Sequence, residues 1–147
     1  MSLLAESTSG MTHRACAAAI LRMAGLRQTR QRVILAELLF SSAHRHVSAE
    51  ELYQDALEAD ADLSLSTVYN TLKQFRQAGL LREIAIDSVC SYFDTDTSDH
   101  HHFFLEEKKQ VIDIPAGAIA IDRLPSAPQG MTVTHVDDVV HVREQHA

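Results

Sequence analysis

The chain has 147 residues, of which 46% are apolar and 22% are charged, and its formal net charge is -7. These are values of a globular protein, and no uncharged apolar run approaches the roughly 20 residues that a membrane-crossing helix needs. Two cysteines without a C-x-x-C motif exclude a disulfide framework and a four-cysteine zinc site within one chain. We therefore expect a cytoplasmic protein without a membrane partner.

The charge is distributed unevenly along the chain. Residues 14–45 contain six arginines against the single acid Glu37, whereas residues 88–147 contain ten acidic side chains against four basic ones. A basic first part joined to an acidic second part is compatible with DNA binding by the first part, despite the negative total.

Two helices are predicted in the first third of the chain. Residues 1–11 are interpreted as a frayed terminus, followed by an Ala-rich helix from about Thr12 to Met23 that ends at Gly25. Thr29 is predicted to cap a second helix. The apolar residues of this second helix recur at helical spacing, and they are Ile34, Leu35, Leu38 and Leu39.

Two further helices are predicted on either side of a short turn. Ser48 and Glu51 have the spacing of a capping box, and the helix that they start runs to about Ala59. Ser64 caps the next helix, which ends at Gly79. The buried face of that helix is predicted to carry Leu65, Val68, Leu72 and Phe75. Its opposite face has no carboxylate, as contact with base edges requires, and it carries Ser66, Thr67, Asn70, Lys73 and Gln74, with Tyr69 at the margin.

A hairpin is predicted directly after this helix-turn-helix. Leu81–Ile86 and Val89–Phe93 read as two strands joined by Asp87-Ser88. A helix-turn-helix followed by a hairpin is a winged helix, and a generic helical bundle is the alternative. We predict an α+β protein with a winged-helix DNA-binding domain over residues 1–93 and a small α/β dimerisation and sensing domain over residues 94–147.

The second domain is predicted to be a small sheet with one helix. The helix is expected from Ala116 to Leu124, where prolines end it. A sheet of this size has exposed edges and little core of its own, so we expect a homodimer. The predicted strands are Phe103–Leu105, Val111–Ile114, Met131–Val136 and Val139–Arg143.

Asp99 to Phe104 form the densest group of potential metal ligands. Alternate side chains of an extended strand share a face, so His100 and His102 point one way while Asp99 and His101 point the other. Imidazoles with carboxylates make a mixed nitrogen and oxygen shell that suits Zn, Fe, Mn or Co. The triplet is predicted to bind a metal or haem, and solvated histidines are the alternative.

Four motifs occur in order along the chain, namely Leu26 to Arg32, His46 to Tyr53, Leu65 to Leu72, and Asp99 to Phe103 followed by Val111 to Asp113. Together they resemble the ferric uptake regulator family over residues 26–143. The resemblance implies a dimeric metalloregulator of operator DNA, with a winged helix followed by an α/β dimerisation domain.

The resemblance also implies two ligand sets. A regulatory site between the domains would be formed by His46, Asp94, His100, His102 and Asp113. A second site beside the sheet would be formed by Asp99, His101, His135 and an acid of the following helix, Asp122. We expect one divalent Fe, Mn or Zn ion per site, haem, or both.

The sequence departs from the family pattern in two places. Typical members hold structural zinc through C-x-x-C after the histidines, and here those positions are Leu105 and Lys108. We expect no four-cysteine zinc. A His triplet followed by two Phe is similar to the iron response regulator branch, whose members respond to haem and control iron and haem metabolism. Cys16 precedes Ala17 rather than Pro, so haem would use the histidines, and the alternative is an Fe- or Mn-dependent repressor without a haem response.

Contacts with DNA are expected from two groups of residues. Arg27, Arg30 and Arg32 would contact phosphates or a minor groove, and the major-groove contacts would be Ser66, Thr67, Tyr69, Asn70 and Lys73. An enzyme with a zinc or non-haem iron centre would need an open coordination position and a neighbouring acid or base. A pure interaction module would leave the ligands without a role, so we expect a regulator and no enzyme.

Overall fold

Two units make up the fold, Met1–Thr97 and Ser98–Ala147. The computed structural model describes residues 2–87, 90–115 and 117–145, with side chains from residue 13 onward. The first unit is helical with a small sheet, and the second unit consists of a second small sheet and a long irregular segment.

The first unit contains four helices, α1 (Ser2–Met23), α2 (Arg30–Phe40), α3 (Ala49–Glu58) and α4 (Leu65–Gln77). The three caps predicted for α2 to α4 are confirmed, because the side chains of Thr29, Ser48 and Ser64 each accept a hydrogen bond from a backbone N–H of the first turn. Ser48 and Glu51 form the complete capping box. These local bonds satisfy amides that have no partner within the helix.

Helix α1 begins earlier than the sequence indicated. It starts at Ser2 rather than near Thr12, so the stretch that was expected to be frayed is helical over residues 2–11, while Met1 lies outside the described residues. One glycine costs a helix only about 1 kcal/mol relative to alanine, so Gly10 need not interrupt it. No helix among the described residues is long and apolar enough to cross a membrane.

The sheet of the first unit has three strands, β1 (His46–Val47), β2 (Arg82–Ala85) and β3 (Ser91–Asp94), in the order β1-β3-β2 with antiparallel pairing. The predicted pairing of the last two strands is confirmed, although Ser88 and Val89 at their junction lie outside the described residues. Strand β1 was not predicted. Its pairing with β3 reaches Asp94, which therefore lies in the first unit rather than in the second domain drawn from the sequence.

Apolar side chains of all four helices and of the sheet form one core in the first unit. The order helix-turn-helix followed by the wing strands is that of a winged helix. Leu65 is an exception to the predicted buried face of α4, since it is 41% exposed at the start of that helix. The fully buried members of the core include Leu21, Leu35, Leu39, Leu52, Val68, Leu72, Phe75 and Phe93.

The second unit contains β4 (His102–Leu105), β5 (Gln110–Asp113) and β6 (Val139–Val142), in the order β5-β4-β6. The β4–β5 pair is the predicted antiparallel hairpin, with His102 opposite Asp113. Strand β6 pairs in parallel with β4. A parallel neighbour needs a long crossover, and residues between β5 and β6 supply it.

Two predicted elements of this crossover are wrong. Residues 117–124 form no helix and Met131–Val136 form no strand, while Ala116 lies outside the described residues. Pro125 and Pro128 oppose continued helix. Residues 131–136 pair with no strand among the described residues, where the sheet of this unit consists of β5, β4 and β6. The crossover therefore remains irregular.

Candidate metal centre and DNA-reading face

The first unit holds one imidazole and one carboxylate side by side. His46 and Asp94 are opposite each other in the β1–β3 register, and Nε2 of His46 lies 3.1 Å from Oδ2 of Asp94. The backbone N–H of Asp96 donates to the other carboxylate oxygen, Oδ1, at 2.9 Å. Asp94 is completely buried, so its orientation is fixed by the sheet and by this bond.

The position of His46 ties this pair to the helix-turn-helix. Only Val47 separates it from Ser48, which caps α3. Val47 and Ser48 are both buried, so the short link has little freedom. His46 is therefore connected to the first turn of α3 through one buried residue and the cap.

The second unit brings together His100, His102 and Asp113. Nε2 of His100 lies 3.0 Å from Oδ1 of Asp113, and Nε2 of His102 lies 3.3 Å from the same oxygen. The two imidazole rings are buried, with centroids 4.4 Å apart. The prediction that His100 and His102 share a face is confirmed, and the β4–β5 register supplies the carboxylate opposite them.

His100 is oriented as a metal ligand would be. Its Nδ1 lies 2.7 Å from the carbonyl oxygen of Ser98. A carbonyl oxygen only accepts, so Nδ1 must donate to it, and Nε2 is the ring nitrogen that faces Asp113 and is left for a metal. Outer hydrogen bonds of this kind fix the tautomer and ring direction of metal-binding histidines.

The spacing of these atoms suits a divalent ion. Potential ligand atoms of His100, His102 and Asp113 lie within 4.8 Å of one another. Two ligands that each lie about 2.1 Å from an ion, at angles of 90–110°, are separated by about 3.0–3.4 Å. The imidazole–carboxylate distances in both units fall in that range, so the residues fit a metal with nitrogen and oxygen ligands.

The second predicted ligand set is only partly assembled. Asp99, His101 and His135 line one cavity of about 370 Å³, whereas Asp122 is not among the described residues that line it. Nδ1 of His101 accepts a hydrogen bond from the backbone N–H of Asp138 at 3.0 Å, which helps to dock the start of β6. The helix that was to carry Asp122 is absent from residues 117–124, which explains its separate position.

The outer face of α4 presents the polar side chains that the sequence predicted. Ser66 and Asn70 are exposed, Thr67 is half-buried, and Tyr69 is 46% exposed rather than part of the core. This face therefore offers hydroxyl, amide and aromatic groups to a ligand outside the unit.

Two cationic side chains of α4 are paired with the wing, which is the hairpin of β2 and β3. Nζ of Lys73 donates to Glu83 on β2 at 2.7 Å, and Nε of Arg76 lies 3.4 Å from the other oxygen of the same carboxylate. The hydrogen bond to Glu83 raises the pKa of Lys73 above its ordinary value. Sequence reasoning placed Lys73 among the DNA contacts and missed this partner, which lies ten residues away along the chain.

The predicted arginines lie around the start of α2. Arg27 and Arg30 are exposed, and Arg32 is half-buried. The guanidinium of Arg32 donates to Oε1 of Gln74 from Nε at 3.3 Å and from Nη2 at 3.1 Å, and Nη1 donates to the carbonyl oxygen of Arg27 at 3.0 Å. Arg32 thus connects the loop before α2 to α4.

A winged helix with an exposed polar reading face, followed by a unit rich in imidazole and carboxylate ligands, defines a class of DNA-binding proteins with a metal-binding second part. The model of the ferric uptake regulator family matches residues 23–137. The chain belongs to this family.

Comparison with individual proteins gives the same family. The chain is 36% identical over 119 residues to the peroxide-responsive repressor PerR of Staphylococcus aureus, covering 80% of this chain and 79% of the relative. The ferric uptake regulator of Pseudomonas aeruginosa, solved with manganese, is 28% identical with a TM-score of 0.64, covering 88% and 98% of the two chains. The Vibrio cholerae ferric uptake regulator has the same fold, at a TM-score of 0.66, 23% identity and coverage of 85% and 97%.

Proposed function

We propose that this protein is a metal-responsive transcriptional regulator that binds operator DNA as a homodimer. The observation that carries the proposal is the set His100, His102 and Asp113, in which Nε2 of each of two buried imidazoles lies within 3.3 Å of one carboxylate oxygen and Nδ1 of His100 is held by the carbonyl oxygen of Ser98. Family membership supports a regulator over the enzyme and the interaction module that the sequence left open.

The proposed regulatory site joins these three residues to His46 and Asp94. Three imidazoles and two carboxylates make a shell that suits Mn, Fe or Zn. The Pseudomonas relative was solved with manganese, which supports that ion as the first to test. Structural zinc is not part of the proposal, because Leu105 and Lys108 stand where typical members have cysteines.

The proposed regulation depends on how the ligands are attached to the fold, through α3 for His46 and through the paired strands β4 and β5 for His102 and Asp113. A divalent metal supplies coordination bonds that favour one arrangement of its ligands over others. His46 is linked through Val47 to the cap of α3, and α3 packs beside the reading helix α4. His102 and Asp113 are paired across β4 and β5. For metal to change the affinity for DNA, it must bind the two conformations unequally.

A homodimer is supported by the apolar surface of the second unit. Large apolar side chains remain exposed there, and such surface usually marks an interaction site. Two reading helices in a dimer would meet half-sites about one helical turn apart. The exposed residues in question are Ile112, Ile121, Leu124, Met131, Val133 and Val140.

For DNA, the proposed base contacts come from the outer face of α4. Tyr69 would contact thymine methyl groups and Asn70 would contact adenine edges, while Arg27 and Arg30 would serve phosphates or a minor groove. Exposure of all four side chains supports this assignment. Lys73 remains a proposed contact only if it leaves Glu83.

Haem is the second candidate signal, and one cavity favours it. The 370 Å³ cavity of the second unit combines His101 and His135 with apolar residues such as Ile119 and Val136. Apolar walls with an imidazole are what a haem pocket requires. This candidate would place the protein in control of iron and haem metabolism. Of the triplet expected to bind haem, His100 and His101 line this cavity, whereas His102 is not among its lining residues.

A titration of metal-stripped protein distinguishes these candidates. Operator affinity would be measured at fixed salt with Mn²⁺, Fe²⁺, Zn²⁺ or haem, using a duplex that the protein selects from a random pool. We expect a divalent ion to change the affinity for operator DNA by about fivefold or more, which is the lower end of typical coupling between two binding sites. A change with haem alone would favour the second candidate, and no selected sequence at all would contradict the regulator.

A further inference from the structure

We propose that Gln74 is a positioning residue for DNA binding, which holds the guanidinium of Arg32 so that it contacts a backbone phosphate. This inference rests on the proposed function, since it concerns how that function is performed. Gln74 was expected only to contribute to a polar face of α4, and its partner on α2 gives it a more specific role.

The hydrogen bonds define the orientation of both side chains. Arg32 can only donate, so the atom of Gln74 that receives Nε and Nη2 must be its carbonyl oxygen Oε1. Nη1 donates in addition to the carbonyl oxygen of Arg27. A guanidinium held at three of its nitrogens has lost most of its rotational freedom before any ligand arrives.

The held guanidinium still has donors to offer. Three of the five N–H groups of an arginine are used in these bonds, which leaves two. Neither partner is acidic, so the positive charge is not neutralised, in contrast to Lys73 and Arg76 at Glu83. A half-buried, oriented and uncompensated guanidinium is suited to a phosphate oxygen.

The location of the pair links two parts of the reading surface. Arg32 lies in the first turn of α2, beside the exposed Arg27 and Arg30, and Gln74 lies four residues after Asn70 on α4. Residues four apart on a helix are neighbours on its surface. A phosphate contact at Arg32 would therefore fix the register of Asn70 against the bases.

The test compares Gln74→Leu, Arg32→Ala and the double variant, all saturated with Mn²⁺, on the duplex selected by the wild-type protein and on a scrambled duplex. Each single variant should lose roughly 10- to 100-fold in affinity for the selected duplex. Each should also lower the slope of log affinity against log salt by about one, as one phosphate contact predicts. The double variant should bind no more weakly than Arg32→Ala, because Gln74 acts through Arg32.

Gln54→Leu on α3 is the matched control, since Gln54 is also exposed and has no hydrogen-bond partner among the described residues. Thermal unfolding of all variants should match the wild type. Wild-type affinity and salt slope in Gln74→Leu, or losses that add fully in the double variant, would overturn the role of Gln74. If the wild type selects no duplex, the proposed function fails and this role fails with it.

Discussion

The two units of this protein differ in how far each completes its own core. In the first unit, side chains such as Leu35, Leu72 and Phe75 are fully buried between the helices. In the second unit the buried apolar residues among those described are Phe104, Val111 and Ile114, while other large apolar side chains such as Leu124 and Met131 are exposed. A small unit with so little core usually depends on a metal or on another subunit. We therefore predict that the first unit is stabilised mainly by packing and the second mainly by what it binds.

The largest effect is expected from opening the core of the first unit. Phe75→Ala removes a ring with no exposed surface, and such changes cost about 3–5 kcal/mol of unfolding free energy. Urea unfolding followed by circular dichroism would measure it. Leu57→Ala, at a residue that is 44% exposed, is the control and should change stability by only about 0.5 kcal/mol. A loss below about 1 kcal/mol in Phe75→Ala would contradict a packed first unit.

The second unit should instead respond to its ligands. Asp113→Asn keeps the size of a half-exposed side chain but removes the charge that faces His100 and His102. Calorimetric titration with Mn²⁺ should show affinity at least about tenfold lower, and Mn²⁺ should no longer raise the unfolding midpoint. Glu144→Gln makes the same charge change at an exposed site and should retain both properties. Equal Mn²⁺ affinity in the two variants would remove Asp113 from the site.

Alkaline pH should weaken the first unit through Tyr92. Burial raises the pKa of Tyr92 to about 12, so the folded protein keeps the phenol neutral while the unfolded chain ionises it near its ordinary value. Stability should therefore fall between about pH 10 and pH 12, by on the order of 2 kcal/mol. Tyr92→Phe should lose this part of the pH dependence in urea unfolding, whereas Tyr69→Phe, at an exposed ring, should keep it. Identical pH profiles for the wild type and Tyr92→Phe would contradict the assignment.

The smallest effect on stability is expected from removing the ion pairs that join α4 to Glu83 of the wing. Glu83→Gln removes the carboxylate that holds Lys73 and Arg76, at a cost within about 1 kcal/mol. Both cations would then be available to phosphates, so affinity for a scrambled duplex should rise and its salt dependence should steepen. Glu58→Gln makes the same charge change at an exposed site of α3 and controls for net charge. Unchanged salt dependence would mean that neither cation can reach DNA.

The sequence predicted best what depends on neighbouring residues. The caps at Thr29, Ser48 and Ser64 are set by a side chain and an amide three residues away, and each is present. The shared face of His100 and His102 follows from strand alternation, and the structure confirms it. These features need no knowledge of the rest of the chain.

What the sequence missed depends on contacts between distant residues. Strand β1 has only two residues, too few for any periodicity. A strand was predicted over Val139–Arg143 and β6 is present there, but its parallel pairing with β4 was not predicted. Met131–Val136 has strand composition but no neighbouring strand. The partners of Lys73 and Arg32 likewise lie on other elements, so only the fold reveals that Lys73 is paired with a carboxylate and that Arg32 is hydrogen-bonded to an amide.

We propose that ligands from both units hold one regulatory metal, and His46 is the most direct test because it belongs to the first unit. The measurement is the Mn²⁺ affinity of metal-stripped His46→Ala compared with the wild type, by calorimetric titration. We expect the affinity for Mn²⁺ to fall at least about tenfold in His46→Ala, and we expect Mn²⁺ no longer to change operator binding. Binding of Mn²⁺ by His46→Ala with wild-type affinity would show that the second unit holds the metal without the first.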